Sequence, residues 1–170
     1  MALLDIYTYP NPVLREKAKS VKNIDKSLQR LIDDMIDTMY DAPGIGLAAN
    51  QVGRPLRIIV VDVQREDCEY GLIVLINPEL LSAQGEVSYE EGCLSVPDYF
   101  ATVTRHGEVV VCGLDRNGET IQISAKGMLA IALQHEMDHL DGKLFIDRIS
   151  PVARDIFKRR WKKKLKEGLG

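Results

Sequence analysis

The sequence predicts an α+β domain in which mostly antiparallel strands pack around a central helix, with further helices at the N-terminal and C-terminal ends. Three observations lead there. β-Branched runs collect between two helical ends without strand–helix alternation, which argues against a doubly wound parallel sheet. An apolar, helix-forming run at about residues 127–140 follows the last strand and stops at Asp141-Gly142. The chain has 170 residues and no repeat, low-complexity tract or linker. That suits one domain, since domains cluster at roughly 100–200 residues, and a core of this size needs no disulfide or structural metal. Residues 1–170 are therefore read as a single domain ending in a basic helix at about 151–167.

Each element has a local reason. Tyr9-Pro10-Asn11-Pro12 carries turn chemistry, with Asn11 a cap and Pro12 at the first position of a short helix. Over residues 23–41, Leu28, Leu31, Ile32, Met35, Ile36 and Met39 recur at helical spacing, and Ala42-Pro43-Gly44 stops the run. Strands are expected at 57–63, at 71–76 (ended by Asn77-Pro78), and at 86–90, 101–103, 108–113 and 120–124. Asn117-Gly118 is a hairpin signal.

Composition narrows the function classes. Cys68, Cys93 and Cys112 are odd in number and widely spaced, which is no disulfide framework and fits a reducing compartment. Cys68 and Cys112 read as small buried hydrophobes. The N-terminus lacks a basic stretch followed by an apolar core, so no secretory signal is expected, and no apolar run is long enough to span a membrane. A net charge of −3 argues against a chain that coats nucleic acid as a whole.

The central helix carries the chemistry. In Gln134-His135-Glu136-Met137-Asp138-His139, residues four apart lie about 40° apart around the axis and roughly 6 Å along it. His135 and His139 can therefore grip one ion, while Glu136 reaches a water on it without ligating. Two of the chain's three histidines fall here, which weighs against ordinary structural histidines. A hydrolytic site wants three protein ligands and an open position. Cys93, in the loop-like segment Glu91-Gly92-Cys93-Leu94-Ser95-Val96-Pro97, is the candidate third. A further segment, Gly44-Ile-Gly-Leu-Ala-Ala-Asn-Gln51-Val-Gly53, matches neither the dinucleotide nor the P-loop glycine pattern. It reads as a tight turn entering a strand, and Gln51 is its unexplained polar residue.

These three segments, in this order and at these separations, resemble peptide deformylase. That family has a Gly-x-Gly-x-Ala-Ala-x-Gln motif, a Glu-Gly-Cys-Leu-Ser motif and a Gln-His-Glu-x-Asp-His-x-x-Gly motif, matched here at residues 44–51, 91–95 and 134–142. The similarity extends over essentially the whole chain, including the C-terminal helix of the bacterial type. The clearest departure is Asp98-Tyr99-Phe100, where some members carry an arginine that helps line the substrate groove.

The resemblance implies a metal-dependent hydrolase that removes the N-formyl group from the initiator methionine of new polypeptides and releases formate. It implies one divalent ion on Cys93, His135 and His139. Fe2+ is the expected ion in the cell, with Zn2+ or Ni2+ able to substitute. Glu136 becomes the general base, with Gln51 and the Leu94 backbone N–H as oxyanion donors. Backbone groups around Gly46 would bind the peptide as an added strand, and Ile45, Met128, Ile131 and Ala132 would form the methionine pocket. A supporting Glu91–Arg105 ion pair is also expected. The partners implied are N-formylmethionyl nascent peptides in a bacterial cytoplasm, with neither membrane nor DNA. Arg154, Lys158, Arg159, Arg160, Lys162, Lys163, Lys164 and Lys166 form a basic helix, read either as a solvated helix with cations near its C-terminal dipole or, as the resemblance to bacterial members implies, as a surface for ribosomal RNA near the exit tunnel. Two rivals stand beside this: a zinc peptidase, which normally takes its third ligand downstream of the histidines, and a metal-stabilised ribosome-binding module without catalysis.

Overall fold

A computed structural model of the chain describes residues 2–65 and 68–167. Its first long helix, α1 (Lys26–Asp41), begins where the Asp25 carboxylate accepts the Leu28 N–H, and its apolar stripe of Leu28, Leu31, Ile32, Met35 and Met39 is buried. The tight turn expected after it gives a three-residue strand, β1 (Gly46–Ala48), followed by a 3₁₀ turn (Ala49–Val52) that closes on left-handed Gly53. β2 (Ile58–Val61), β3 (Ile73–Gln84), β6 (Glu108–Leu114) and β7 (Thr120–Lys126) complete a five-stranded antiparallel sheet in the order β1-β2-β3-β6-β7. β4 (Val87–Cys93) and β5 (Val96–Arg105) form a separate two-stranded hairpin.

The strand period of two explains why β2 is apolar throughout. Ile58 and Val60 face α1, with Leu47 and Ile76 beside them. Ile59 and Val61 face the central helix α2 (Gly127–Leu140), with Ala48, Leu75 and Val111. β6 is covered on one face only and alternates buried with half-buried residues accordingly. Helix α2 is buried nearly all round because the sheet lies on one side and the hairpin on another. Its Ala130, Leu133 and Leu140 are fully buried.

Three expectations are corrected. The strand expected to end at Ile76 runs on to Gln84, because the ladder shifts register between Ile76 and Glu79. Asn77 adopts a positive φ there and its side-chain amide pairs with both backbone groups of Val21, so a bulge absorbs Pro78 without ending the strand. The segment around Cys93 is the tip of the hairpin: Cys93 pairs with Val96 across a turn at Leu94-Ser95. Cys68 and Cys112 are half-buried rather than buried. The Cys68 thiol reaches the Tyr70 carbonyl, and Cys112 lies on the less covered face of β6.

A third core ties the hairpin to the C-terminal helix α3 (Pro151–Lys166), through Val96, Val103, Phe145, Ile146 and Phe157. Tyr9, Tyr99 and Trp161 pack around Phe157 with ring centroids 4.6–5.5 Å apart. Burying one such aromatic stabilises by roughly 1.5–3 kcal/mol, enough to hold a helix that is otherwise highly charged.

Gly142, which ends α2, has φ +75°, and a Cβ there would lie 2.5 Å from the Arg15 carbonyl oxygen. Gly118 has φ +83° but its nearest neighbour would be a flexible Ile24 methyl at 3.5 Å. Gly118→Ala should therefore cost about 1 kcal/mol, the left-handed penalty alone. Gly142→Ala should cost about 3 kcal/mol, as backbone overlap is added. Equilibrium urea unfolding of the two variants measures the difference.

Candidate metal centre

Two elements far apart in sequence supply three donors. α2 presents His135 and His139 one turn apart, with ring centroids 5.0 Å from each other. The hairpin tip brings Cys93 to them, and one ligand atom from each of the three residues lies within 4.8 Å of the others. Cys93 Sγ is 3.4 Å from His139 Nε2. His135 has its Nδ1 2.9 Å from Glu91 Oε1, so that nitrogen carries the proton and the Nε2 lone pair is left for the centre.

Glu91 is held in turn. The Arg105 guanidinium forks onto it, Nε to Oε2 at 2.6 Å and Nη2 to Oε1 at 3.0 Å, and Nη1 reaches Asp138 Oδ2 at 2.9 Å. The expected Glu91–Arg105 pair is thus present and buried. Burial opposes the charge on Glu91, yet the hydrogen bonds from His135 and Arg105 outweigh it and hold the carboxyl below its usual range.

The electrostatics of the donor set suit a cation. Burial works against a charged His135, but Cys93, Glu136 and Glu91 together hold its pKa well above the ordinary value. His139 goes the other way, pushed well below by burial and then by the positive charge on His135. The thiol and carboxylates around His135 thus favour positive charge at this position, which a cation would supply in place of a proton, with the Nε2 lone pair free to meet it. One thiol and two imidazoles match the donor set for a borderline or soft divalent ion, and among the described residues no other such cluster occurs.

Glu136 lies beside this set with one carboxylate oxygen, Oε1, buried and without a partner. Burial pushes its pKa up to about 7, and a nearby divalent ion would draw it back down. The opposite wall explains a glycine: a Cβ on Gly46 would stand 2.5 Å from Glu136 Oε2. Gln51 also gains its reason. Its Oε1 accepts the Ala48 N–H at 2.9 Å, which turns Nε2 toward Ser95 Oγ at 3.0 Å and Cys93 Sγ at 3.6 Å.

A groove of ≈ 560 Å³ opens over these residues, walled by Ile45, Gly46, Leu94, Phe100, Met128 and Ile131. Ala132 does not line it. Ala132 is buried in the core between helix and sheet, because α2 turns it about 100° away from Ile131.

Several residues that shape the site were not singled out from the sequence. Ser95 donates its N–H to Cys93 Sγ at 3.4 Å, and its place in the Glu-Gly-Cys-Leu-Ser motif was the available signal. Asn50 donates to the carbonyls of Glu16 and His139, both at 2.8 Å, pinning the end of α2. Asp138 accepts from both Arg105 and Arg148.

The polypeptide deformylase family model matches residues 3–155. The chain belongs to the polypeptide deformylase family. It is 68% identical over 167 residues to a peptide deformylase of Syntrophobacter fumaroxidans, covering 98% of each chain. The fold superposes on a crystal structure of a peptide deformylase from Legionella pneumophila with TM-score 0.89 and 47% identity, covering 98% of both. It is equally close to a peptide deformylase from Ehrlichia chaffeensis in complex with actinonin, with TM-score 0.90, 41% identity and 96% and 98% coverage. The chain is therefore a hydrolase of this metal-dependent family, removing the formyl group from the initiator methionine of nascent peptides and releasing formate.

Because the Gly46 position is filled by the Glu136 carboxylate, Gly46→Ala should displace that carboxylate without touching the donors. Formate release should fall about 100-fold while metal content by elemental analysis stays at the parent level.

Proposed function

We propose that Cys93, His135 and His139 hold one divalent ion, ferrous iron in the cell with zinc or nickel able to replace it, and that Glu136 moves the protons of deformylation. The observation that carries this is the unpartnered, buried Glu136 oxygen set beside three converging donors. An ion held there would supply Lewis acidity toward the formyl carbonyl and toward water. The chain's own groups do the rest. Glu136, raised by burial, takes a proton from water and later gives it to the leaving amine. Gln51 Nε2 and the Leu94 N–H donate to the developing oxyanion, each worth about 10²–10³ in turnover.

Substrate binding follows from the sheet. β1 pairs with β2 on one side only, so its other edge can take the peptide backbone as an added strand beside Gly46. Ile45, Met128 and Ile131 offer apolar contact to the methionine side chain. The substrate class is N-formylmethionyl nascent chains. No described helix is long and apolar enough to cross a membrane, and a bacterial cytoplasmic setting fits a substrate made on ribosomes.

The basic helix is the ribosome-facing surface in this reading. Lys158, Arg159, Arg160, Lys162, Lys163, Lys164 and Lys166 are exposed along it. Arg154 is not part of that face, since its guanidinium is spent on the carbonyls of Ile146 and Asp147.

Glu136→Ala should keep its metal and lose formate release by several orders of magnitude, on the order of 10²–10⁴ from the proton transfers alone. Cys93→Ser, which exchanges a soft donor for a poor one, should instead lose metal on dialysis. A metal-loaded Glu136→Ala protein with near-parent turnover would remove the general-base assignment, and unchanged metal in Cys93→Ser would remove the ligand assignment.

Truncating α3 would strip Phe157 and Trp161 from the third core, so charge reversal is the sharper test of docking. Replacing Lys158, Arg159, Lys162 and Lys163 by Glu should weaken ribosome cosedimentation at low salt at least about tenfold. Formate release from a short peptide should be unchanged, and equal cosedimentation would reject the docking surface.

A further inference from the structure

Outward of Arg105 the line of charges continues to the protein surface. Asp138 sits on α2 one turn from His135, and its side chain is only 12% exposed. Arg105 Nη1 binds one of its oxygens, and Arg148 forks onto both, Nε to Oδ2 at 2.5 Å and Nη2 to Oδ1 at 2.7 Å. Arg148 comes from a different part of the chain, just after the 3₁₀ turn Phe145–Asp147, and its side chain is 41% exposed. The sequence Arg148–Asp138–Arg105–Glu91–His135 is thus unbroken by any gap wider than a hydrogen bond.

We propose that Arg148 is a positioning residue for His135, acting through Asp138, Arg105 and Glu91 to keep the imidazole aimed at the metal position. The inference rests on Cys93, His135 and His139 being the ligands. Its physical basis is charge balance. Two guanidinium groups and two carboxylates make the line neutral. Without Arg148, the Asp138 and Glu91 carboxylates share one buried guanidinium. Arg105 is then drawn toward Asp138, and its fork on Glu91 loosens. Glu91 is the group that fixes the proton on His135 Nδ1 and with it the direction of Nε2.

The location of Arg148 makes the effect separable from substrate binding. It borders a cleft of ≈ 460 Å³ with Glu86, His106, Asp141 and Lys143, and this cleft shares no lining residue with the substrate groove. A change at Arg148 therefore reaches the reaction through the charged line and not through the peptide.

The test compares parent, Arg148→Lys and Arg148→Gln proteins, each loaded with Co2+ as a visible reporter. Arg148→Gln should lose metal to a chelator about ten times faster, shift the cobalt absorption band, and lower kcat with KM for a formyl-methionyl peptide unchanged. Arg148→Lys, which keeps the charge but not the fork, should fall between. Adding Asp138→Asn to Arg148→Gln restores a one-to-one balance of charges and should recover most of the metal retention. An Arg148→Gln protein with the parent's rate of metal loss and cobalt spectrum overturns the proposal, even if its unfolding midpoint drops. A double variant that loses metal faster than Arg148→Gln alone overturns it as well. Failure of the ligand assignment would show separately, as a parent protein that takes up no cobalt, and would overturn both.

Discussion

The Glu91 carboxylate is the joint on which the site turns. It lies near the end of β4 and binds a guanidinium from β5 on one side and an imidazole from α2 on the other. Without it no carboxylate from the hairpin would orient the His135 ring, and the apolar contacts around that ring are non-directional. Such contacts fix distance far better than they fix the angle of a ring. Two charged hydrogen bonds in a buried setting supply the angle. Breaking such a pair costs about 3–5 kcal/mol by stranding a charge, so the geometry is stiff against small distortions.

The fold serves that joint by bringing two sheets against one helix. α2 is buried on the side of the five-stranded sheet by side chains from β2 and β6, and the hairpin reaches its other flank with Cys93 at its tip. The small residues Gly46 and Ala48 let the chain pass close to α2, near enough for Glu136 to rest on a glycine. Gln51 then fixes the sulfur's surroundings through Ser95. Helix, hairpin and glycine segment thus each correct the placement of the other two.

What was legible in the sequence follows the range of the physics. The three helices and most strand positions along the chain were readable because period and capping are local, as with the stripe over α1 and the Asp25 cap, whereas the order of strands within the sheet was not. The donors were readable because a turn of helix places His135 and His139 by arithmetic, and Cys93 followed from its motif. The β3 strand was cut short at Asn77-Pro78 because the remedy, a side-chain pairing with Val21, spans 56 residues. Ala132 was misplaced for a related reason. One step along a helix is a large rotation, and only the packed sheet says which side is core. Asn50 reaches the site through partners distant in sequence, the carbonyls of Glu16 and His139, so no local pattern announces it, whereas Ser95 lies inside a motif beside Cys93.

The shortness of β1 has its own consequence. An unpaired strand edge invites any extended chain, including another copy of the same protein. In the proposed binding mode three residues would grasp a flexible terminus by its main chain, yet they are too few to nucleate a stable sheet between folded molecules. A grip made of amides is blind to side-chain identity, which suits a catalyst whose clients share little beyond their first residue. Brevity at this edge would thus reconcile hospitality toward diverse clients with resistance to edge-to-edge pairing.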